Sequence, residues 1–200
     1  MKKMPTLFRR VFDGGGVLEV LREVTPGCEW VMDGEGVATE KVDGSCCAVI
    51  DGALYRRYDA KRGKTTPKGA IPCQPEADPI AGHWPHWVKV DTHNLSDKWY
   101  AHAWTNTPWI GEMGDDYAEG TYEAVGLHFQ GNPYGLDADF LERHGRIRLN
   151  DCPRDYDGIR EYLRTHAIEG VVFHSGNGEM CKIKRSDFGF KWPMERGYFD

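Results

Sequence analysis

Two apolar runs joined by Asp51-Gly52 constrain this chain more than any other stretch. Cys47-Ala48-Val49-Ile50 precedes the dipeptide and Ala53-Leu54-Tyr55-Arg56-Arg57-Tyr58 follows it. Asp-Gly suits a two-residue hairpin loop, because both of its residues tolerate positive φ. The pattern predicts paired antiparallel strands, with Tyr55 and Arg57 on one face of the second strand and Arg56 and Tyr58 on the other. Upstream, short apolar runs at 17–20 and 30–32 alternate with Gly14-Gly15-Gly16, Pro26-Gly27 and Asp33-Gly34. That is turn-punctuated β-structure without a long amphipathic helix.

Downstream the regularity breaks. Pro67, Pro72, Pro75, Pro79 and Pro85 mark a loop or insertion from Lys61 to about Pro85, and the Pro/Trp-rich character continues to about residue 109. Trp84, Trp87, Trp99, Trp104 and Trp109 lie there among His83, His86, His93 and His102. The histidines lack the tight spacing of a zinc ligand set and have no cysteine partner, so packing beneath a loop, or stacking on nucleic-acid bases, is the expected role of this segment. Residues 120–129 read as a strand with Glu123 at its middle, Gly131-Asn132-Pro133-Tyr134-Gly135 as a turn, and 136–144 as a short helix. Residues 155–167 form the best helical pattern, with Ile159, Tyr162, Leu163 and His166 on one face. A final hairpin is expected from the strand 168–173, which bears Glu169, the Ser175-Gly176-Asn177-Gly178 turn and the return strand 180–184. In that return strand Lys182 and Lys184 share one face and Cys181 and Ile183 the other. Two lysines side by side repel unless an anion lies between them, which suits phosphate.

The fold class is therefore α+β, with mostly antiparallel sheets and flanking helices. At 200 residues, 40% of them apolar, a single domain over 1–200 with an insertion around 61–109 is expected. No apolar run approaches the ~20 residues of a membrane span, and Arg9-Arg10 stands where a signal peptide would have its apolar core. Cys28, Cys46, Cys47, Cys73, Cys152 and Cys181 contain no C-x-x-C pair. They read as free thiols of a reducing compartment, so the cytoplasm is the expected location. A net charge of −6 argues against bulk coating of nucleic acid. Local basic groups remain, at Arg56, Arg57, Lys61, Arg62, Lys64 and Lys68 and again at Lys182, Lys184, Arg185, Lys191 and Arg196.

The chemistry-bearing stretch is Glu40-Lys41-Val42-Asp43-Gly44-Ser45, immediately before the first hairpin. A lysine at a strand edge becomes a nucleophile when burial or neighbouring cations depress its pKa. Lys41, Arg57, Glu123 in Tyr-Glu-Ala-Val-Gly, Glu169-Gly170 and Lys182-Ile183-Lys184 are each weak signals alone. In this order they resemble the covalent nucleotidyltransferase superfamily of DNA ligases, RNA ligases and mRNA capping enzymes. The runs Ala38 to Cys47, Gly131-Asn132-Pro133-Tyr134-Gly135-Leu136, Ile168 to His174 and Lys191-Trp192-Pro193 narrow the likeness. They resemble the small ATP-dependent RNA ligases first known from vertebrates, over roughly residues 30–195. The chain stops soon after the last motif, so no C-terminal oligonucleotide-binding-fold domain is expected.

The resemblance implies a nucleotidyltransferase (adenylation) fold, with the nucleotide held between sheets. It implies ATP as cosubstrate with Mg²⁺ or Mn²⁺, and RNA carrying 5′-phosphate and 3′-hydroxyl ends as partner. Lys41 would form a lysyl-AMP bond, and Lys182 and Lys184 would hold phosphate and lower its pKa. Glu169 would bind the metal, Glu123 the ribose, Arg57 the ribose or the 5′-phosphate, and Glu40 the adenine, with Asp43 and Gly44 shaping the nucleotide site. RNA contacts are looked for in the 56–68 cluster and the aromatic segment. DNA nick sealing, GTP-dependent capping and an inert nucleic-acid-binding module are the alternatives.

Overall fold

The computed structural model describes residues 4–14, 16–61, 63–79, 82–107 and 119–194. Gly15, Arg62, Trp109 and Arg196, named above, lie outside them. The class is α+β, and every pairing between named strands is antiparallel. Backbone contacts divide the chain into two compact units.

One unit runs from Asp43 to His144. Its strands are β4 (Ser45–Ile50), β5 (Ala53–Ala60), β6 (Ile71–Pro72), β7 (Trp84–Lys89), β8 (Gly120–Val125) and β9 (Phe140–Arg143), in the order β6-β7-β5-β4-β8-β9. The β4/β5 hairpin forms as its sequence dictates, with φ of 50° at Asp51 and 68° at Gly52 and Ile50 opposite Ala53. Helix α2 (Lys98–Asn106) packs on β5, β8 and β9. The core beneath it contains Cys47, Val49, Leu54, Ala103, Tyr122, Phe129 and Leu141, flanked by Trp99, Tyr100 and Trp104. Trp87 is also buried, so these tryptophans serve packing, one of the two roles expected of the segment.

Two local expectations are corrected here. Phe140–Arg143, placed in a short helix on local pattern, is a strand. It pairs along β8, and the Leu141 backbone N–H also donates to Thr107 Oγ1 at 2.8 Å. Cross-strand partners and burial of Leu141 override a weak helical preference. Trp84–Lys89, at the end of the supposed loop, is a strand that pairs with β5 along its length.

The other unit is built from Met4–Val42 and the segment from Gly145 onward. Strands β1 (Phe8–Phe12) and β2 (Val17–Val24) form a ribbon. Strands β3 (Val37–Glu40), β10 (Gly170–His174) and β11 (Met180–Lys184) form a sheet of order β11-β10-β3. The short helix α1 (Glu29–Met32) buries Val31. Helix α3 (Tyr156–Thr165) is capped by Asp155, whose carboxylate accepts from Gly158 N–H at 2.9 Å. It buries Ile159, Tyr162 and Leu163 on the face its periodicity predicts, against Leu7, Phe8, Val171, Phe173 and Ile183. Each fully buried Ile or Leu there contributes roughly 1.5–3 kcal/mol of transfer free energy. His166, at the end of the same face, stacks on Tyr162.

The six cysteines are free thiols, with Cys28, Cys47, Cys152 and Cys181 buried. Burial raises the Cys181 thiol and pushes Cys152 up to about 12, so neither is an available thiolate at neutral pH. No helix among the described residues is long and apolar enough to cross a membrane.

Candidate active site

Lys41 follows the last residue of β3, and its backbone N–H donates to Gly170 O at 2.9 Å. That bond extends the β3–β10 pairing by one residue and sets Lys41 beside the start of β10. Thr39 reinforces the pairing, with Oγ1 at 3.0 Å from His174 Nε2. Gly170 is required by the other neighbour of β10: a Cβ there would stand 2.3 Å from Ile183 O. Glu169, immediately before β10, is thereby placed against β11.

The result is a charge cluster within this unit. The buried Glu169 carboxylate takes Lys41 Nζ on one oxygen and Lys184 Nζ on the other, the latter at 2.6 Å. Lys182 shares the Lys184 face, as alternation predicts. Burial first, then the charges of Lys41, Lys184 and Arg10, pull its pKa down to about 8. Arg10 comes from β1, which the chain enters after Leu7 N–H bonds Lys182 O at 2.8 Å. Its Nη2 pairs with buried Asp187 at 2.6 Å, while Asp187 also accepts from Lys184 N–H at 2.9 Å. Arg10 Nε is buried and has no hydrogen-bond partner. Lys41 and Lys184 pair with Glu169 and Arg10 pairs with Asp187, so with Lys182 four cations stand beside two carboxylates, a surplus of positive charge suited to a polyanion. Glu40 N–H bonds Ile147 O at 2.9 Å.

The first unit holds a second group of the expected residues. A cavity of about 330 Å³ is lined by Gly44, Cys46, Arg57, Tyr100, Glu123 and Gln130, among others. Gly44 abuts β8: a Cβ on it would stand 2.5 Å from Ala124 O. Asp43 N–H donates to Tyr134 Oη at 2.7 Å, which ties the Asp43–Ser45 stretch to the Gly-Asn-Pro-Tyr-Gly turn. Asn132 shapes that turn, its side-chain amide bonding both N–H and C=O of Leu136 at 2.9 Å. Arg57 Nε donates to Asp59 Oδ1 at 2.9 Å. Glu123 Oε1 lies 3.0 Å from His144 Nε2, whereas Glu123 Oε2 is buried without a partner.

Sequence reasoning singled out neither Arg10 nor His144 as a site residue. Arg10 had only its place in an alternating strand to mark it; His144 was assigned to the supposed helix end. Part of the 56–68 basic cluster also changes role. Arg56 Nε is held at 2.7 Å by Asp97, whose side chain is buried, while Lys61, Lys64 and Lys68 are exposed. In the aromatic segment, the Trp99 ring stacks on His128, itself bonded to buried Asp139 at 2.6 Å.

Comparison with known proteins completes the picture. A sequence family described as RNA ligase 1 matches residues 113–200. RNA ligase 1 of Rattus norvegicus is 26% identical over 229 aligned residues, covering 82% of this chain and 70% of its own length. RNA ligase 1 of Mus musculus gives the same identity and coverage. The Danio rerio protein of that name is 27% identical, over 78% of this chain and 68% of its own length. The alignments to these curated proteins span most of the chain, and with the family match they show that it is similar to RNA ligase 1 proteins.

Proposed function

We propose that this protein is an ATP-dependent RNA ligase of the nucleotidyltransferase fold, joining 5′-phosphate to 3′-hydroxyl ends through a lysyl-AMP intermediate. The observation that carries the reading is the Lys41–Glu169–Lys184 cluster, with Lys182 and Arg10 beside it, in a chain similar to RNA ligase 1. The reading assigns the phosphates of ATP to this cluster. Phosphoryl transfer depends on positioning and charge neutralisation, which four cations around one anionic substrate supply.

In the first step the deprotonated Lys41 amine attacks the α-phosphorus. The N–P bond forms, the nitrogen gives up a proton to solvent, the P–O bond to pyrophosphate breaks, and pyrophosphate leaves with the electron pair. Glu169 orients the amine, and Lys182 and Lys184 neutralise the phosphate oxygens. A 5′-phosphate oxygen of RNA then attacks the same phosphorus and Lys41 departs. Finally the 3′-hydroxyl oxygen, losing its proton to solvent, attacks the RNA 5′-phosphate, and the P–O bond to AMP breaks so that AMP leaves. Glu123 Oε2, a buried acceptor without a donor, fits a ribose hydroxyl.

The donor set fits a hard dication only in company. Both Glu169 oxygens carry lysine contacts, so Mg²⁺ or Mn²⁺ would bind Glu169 together with phosphate oxygens and water, not as a free ion. When bound, that ion supplies charge neutralisation of the triphosphate and of the leaving pyrophosphate.

Incubation with α-labelled ATP and Mg²⁺, followed by a denaturing gel, tests the reading. Label is expected on the protein and is expected to vanish in Lys41→Ala. Absence of label with both ATP and GTP overturns it, and preference for GTP moves the chain to capping chemistry. Transfer to 5′-phosphorylated RNA, with nicked DNA as comparison, decides the partner.

A further inference from the structure

Among the described residues, one group of three side chains has metal-ligand chemistry: Cys46 on β4, Glu123 on β8 and His144 just beyond β9. Cys46 and Glu123 are directly opposite in the β4/β8 register, so their side chains share one face of the sheet. One donor atom from each of the three lies within 4.8 Å of the others. A tetrahedral zinc shell needs bonds of about 2.0–2.3 Å, hence donor separations of roughly 3.3–3.7 Å, a small adjustment of rotamers. We infer that Cys46, Glu123 and His144 form a zinc site, with a fourth position open to water or an incoming ligand.

Two further observations point to a ligand rather than to a structural cluster. Glu123 Oε2 is buried without any hydrogen-bond partner, a costly state for a carboxylate oxygen unless something binds it. His144 is held from behind, with Nδ1 at 2.8 Å from Thr121 Oγ1. That is the outer hydrogen bond metal-ligating histidines carry, and it leaves Nε2 to face the metal. In the metal-free protein Nε2 bonds Glu123 Oε1 instead, at 3.0 Å. Moving the ring proton to Nδ1 makes Nε2 a ligand without moving the backbone.

Metal binding must draw a proton from Cys46. Burial, then the Glu123 charge, pushes the Cys46 thiol up to about 12, so the metal-free group is neutral. A dication inverts this balance: zinc binds, the Cys46 S–H proton passes to solvent, and thiolate plus carboxylate neutralise the ion. The neighbouring guanidinium of Arg57 pairs with Asp59 and also draws the Cys46 thiol down, against burial. Sulfur and imidazole select zinc over Mg²⁺, so this site is distinct in chemistry from the Mg²⁺ role proposed for Glu169. If Glu123 also takes the ribose, which rests on the ligase reading, zinc and nucleotide exclude each other and zinc is an inhibitor of adenylylation.

The experiment titrates chelator-stripped protein with Zn²⁺ against a chromophoric chelator, and records zinc-edge X-ray absorption on the one-equivalent complex. One equivalent should bind, with one sulfur and otherwise nitrogen and oxygen neighbours. Thirty- to hundredfold weaker binding is expected in Cys46→Ser and His144→Gln, about tenfold in Thr121→Val, and no change in Cys73→Ser. A shell with no sulfur or with several, or affinity unchanged in Cys46→Ser, overturns the site. The absorption measurement uses the unaltered protein, so it decides even if a variant does not fold. Zinc binding without any ATP labelling of the zinc-free protein supplied with Mg²⁺ would refute the ligase reading and leave the site standing.

Discussion

Lys41 and Glu169 form an ion pair across the start of β10, and Lys184 holds the remaining carboxylate oxygen at 2.6 Å. The carboxylate side chain is 8% exposed, whereas Lys184 is 32% exposed. Glu169 is therefore a structural element of its unit as well as a candidate site residue. Glu169→Gln keeps the volume and leaves two ammonium groups without their anion. A loss of about 1–2 kcal/mol in urea unfolding is expected, held low by the partial exposure of the lysines. Lysyl-AMP formation should fall at least roughly a hundredfold, the scale of losing an electrostatic stabiliser. Labelling at the unaltered rate would remove Glu169 from the reaction.

Lys182 sets a pH dependence. Its pKa in the folded protein is about 8, against an ordinary 10.5, and burial is the first cause. Below pH 8 both folded and unfolded chains carry the proton, and the destabilisation is present in full. Between pH 8 and 10.5 the unfolded chain binds more protons, so stability contributed by this group rises with pH across that window. Nucleotide binding runs the other way, because phosphate prefers the charged lysine. KM for ATP in the labelling reaction should rise as pH passes about 8. In Lys182→Arg, whose guanidinium stays charged, that rise should disappear. A KM that is flat from pH 7 to 9 in the unaltered protein would exclude Lys182 from phosphate binding.

Arg10 carries a buried Nε with no partner while its Nη2 is held by Asp187. A buried guanidinium donor adjoining three lysines is satisfied by an anion. Arg10→Lys preserves charge but loses the planar fork, so it should not rescue Arg10→Ala. Both should weaken ATP binding about tenfold, an energy of about 1.4 kcal/mol, as read by competition with a labelled nucleotide. Recovery by lysine would mean that bulk charge suffices and that Nε has no directed role.

Much of this was legible in the sequence wherever local rules and burial agree. The β4/β5 and β10/β11 hairpins have strong turn signals, and α3 has one apolar stripe that matches its buried face. Alternation alone set Lys182 and Lys184 together. Strand β9 was hidden because its backbone partners come from β8, some twenty residues away, and from Thr107. Arg10 and Asp187 are brought together across 177 positions by β1 and the turn after β11, which no local pattern encodes. The Cys46–Glu123–His144 group was invisible for the same reason: register between β4 and β8 places two members, and the true state of β9 places the third. Sequence motifs mark residues with chemistry; pairing register decides which of them meet.

Gly44 and Gly52 separate two reasons for glycine. Gly52 has φ of 68° and no atom near the place of a Cβ, so Gly52→Ala strains only the hairpin turn. About 1 kcal/mol of stability should be lost, with ATP labelling unchanged. At Gly44 a Cβ would stand 2.5 Å from Ala124 O and 2.9 Å from a Val125 methyl, and the first of these is backbone. Gly44→Ala must push β8 away from the turn that follows Lys41. The expected loss is about 1–3 kcal/mol. Labelling should drop by more than the residual fraction folded explains, because the displaced strand carries Glu123. Melting curves and labelling on both variants check the pair. Equal loss of stability with labelling intact in Gly44→Ala would mean that the close approach to β8 serves packing alone.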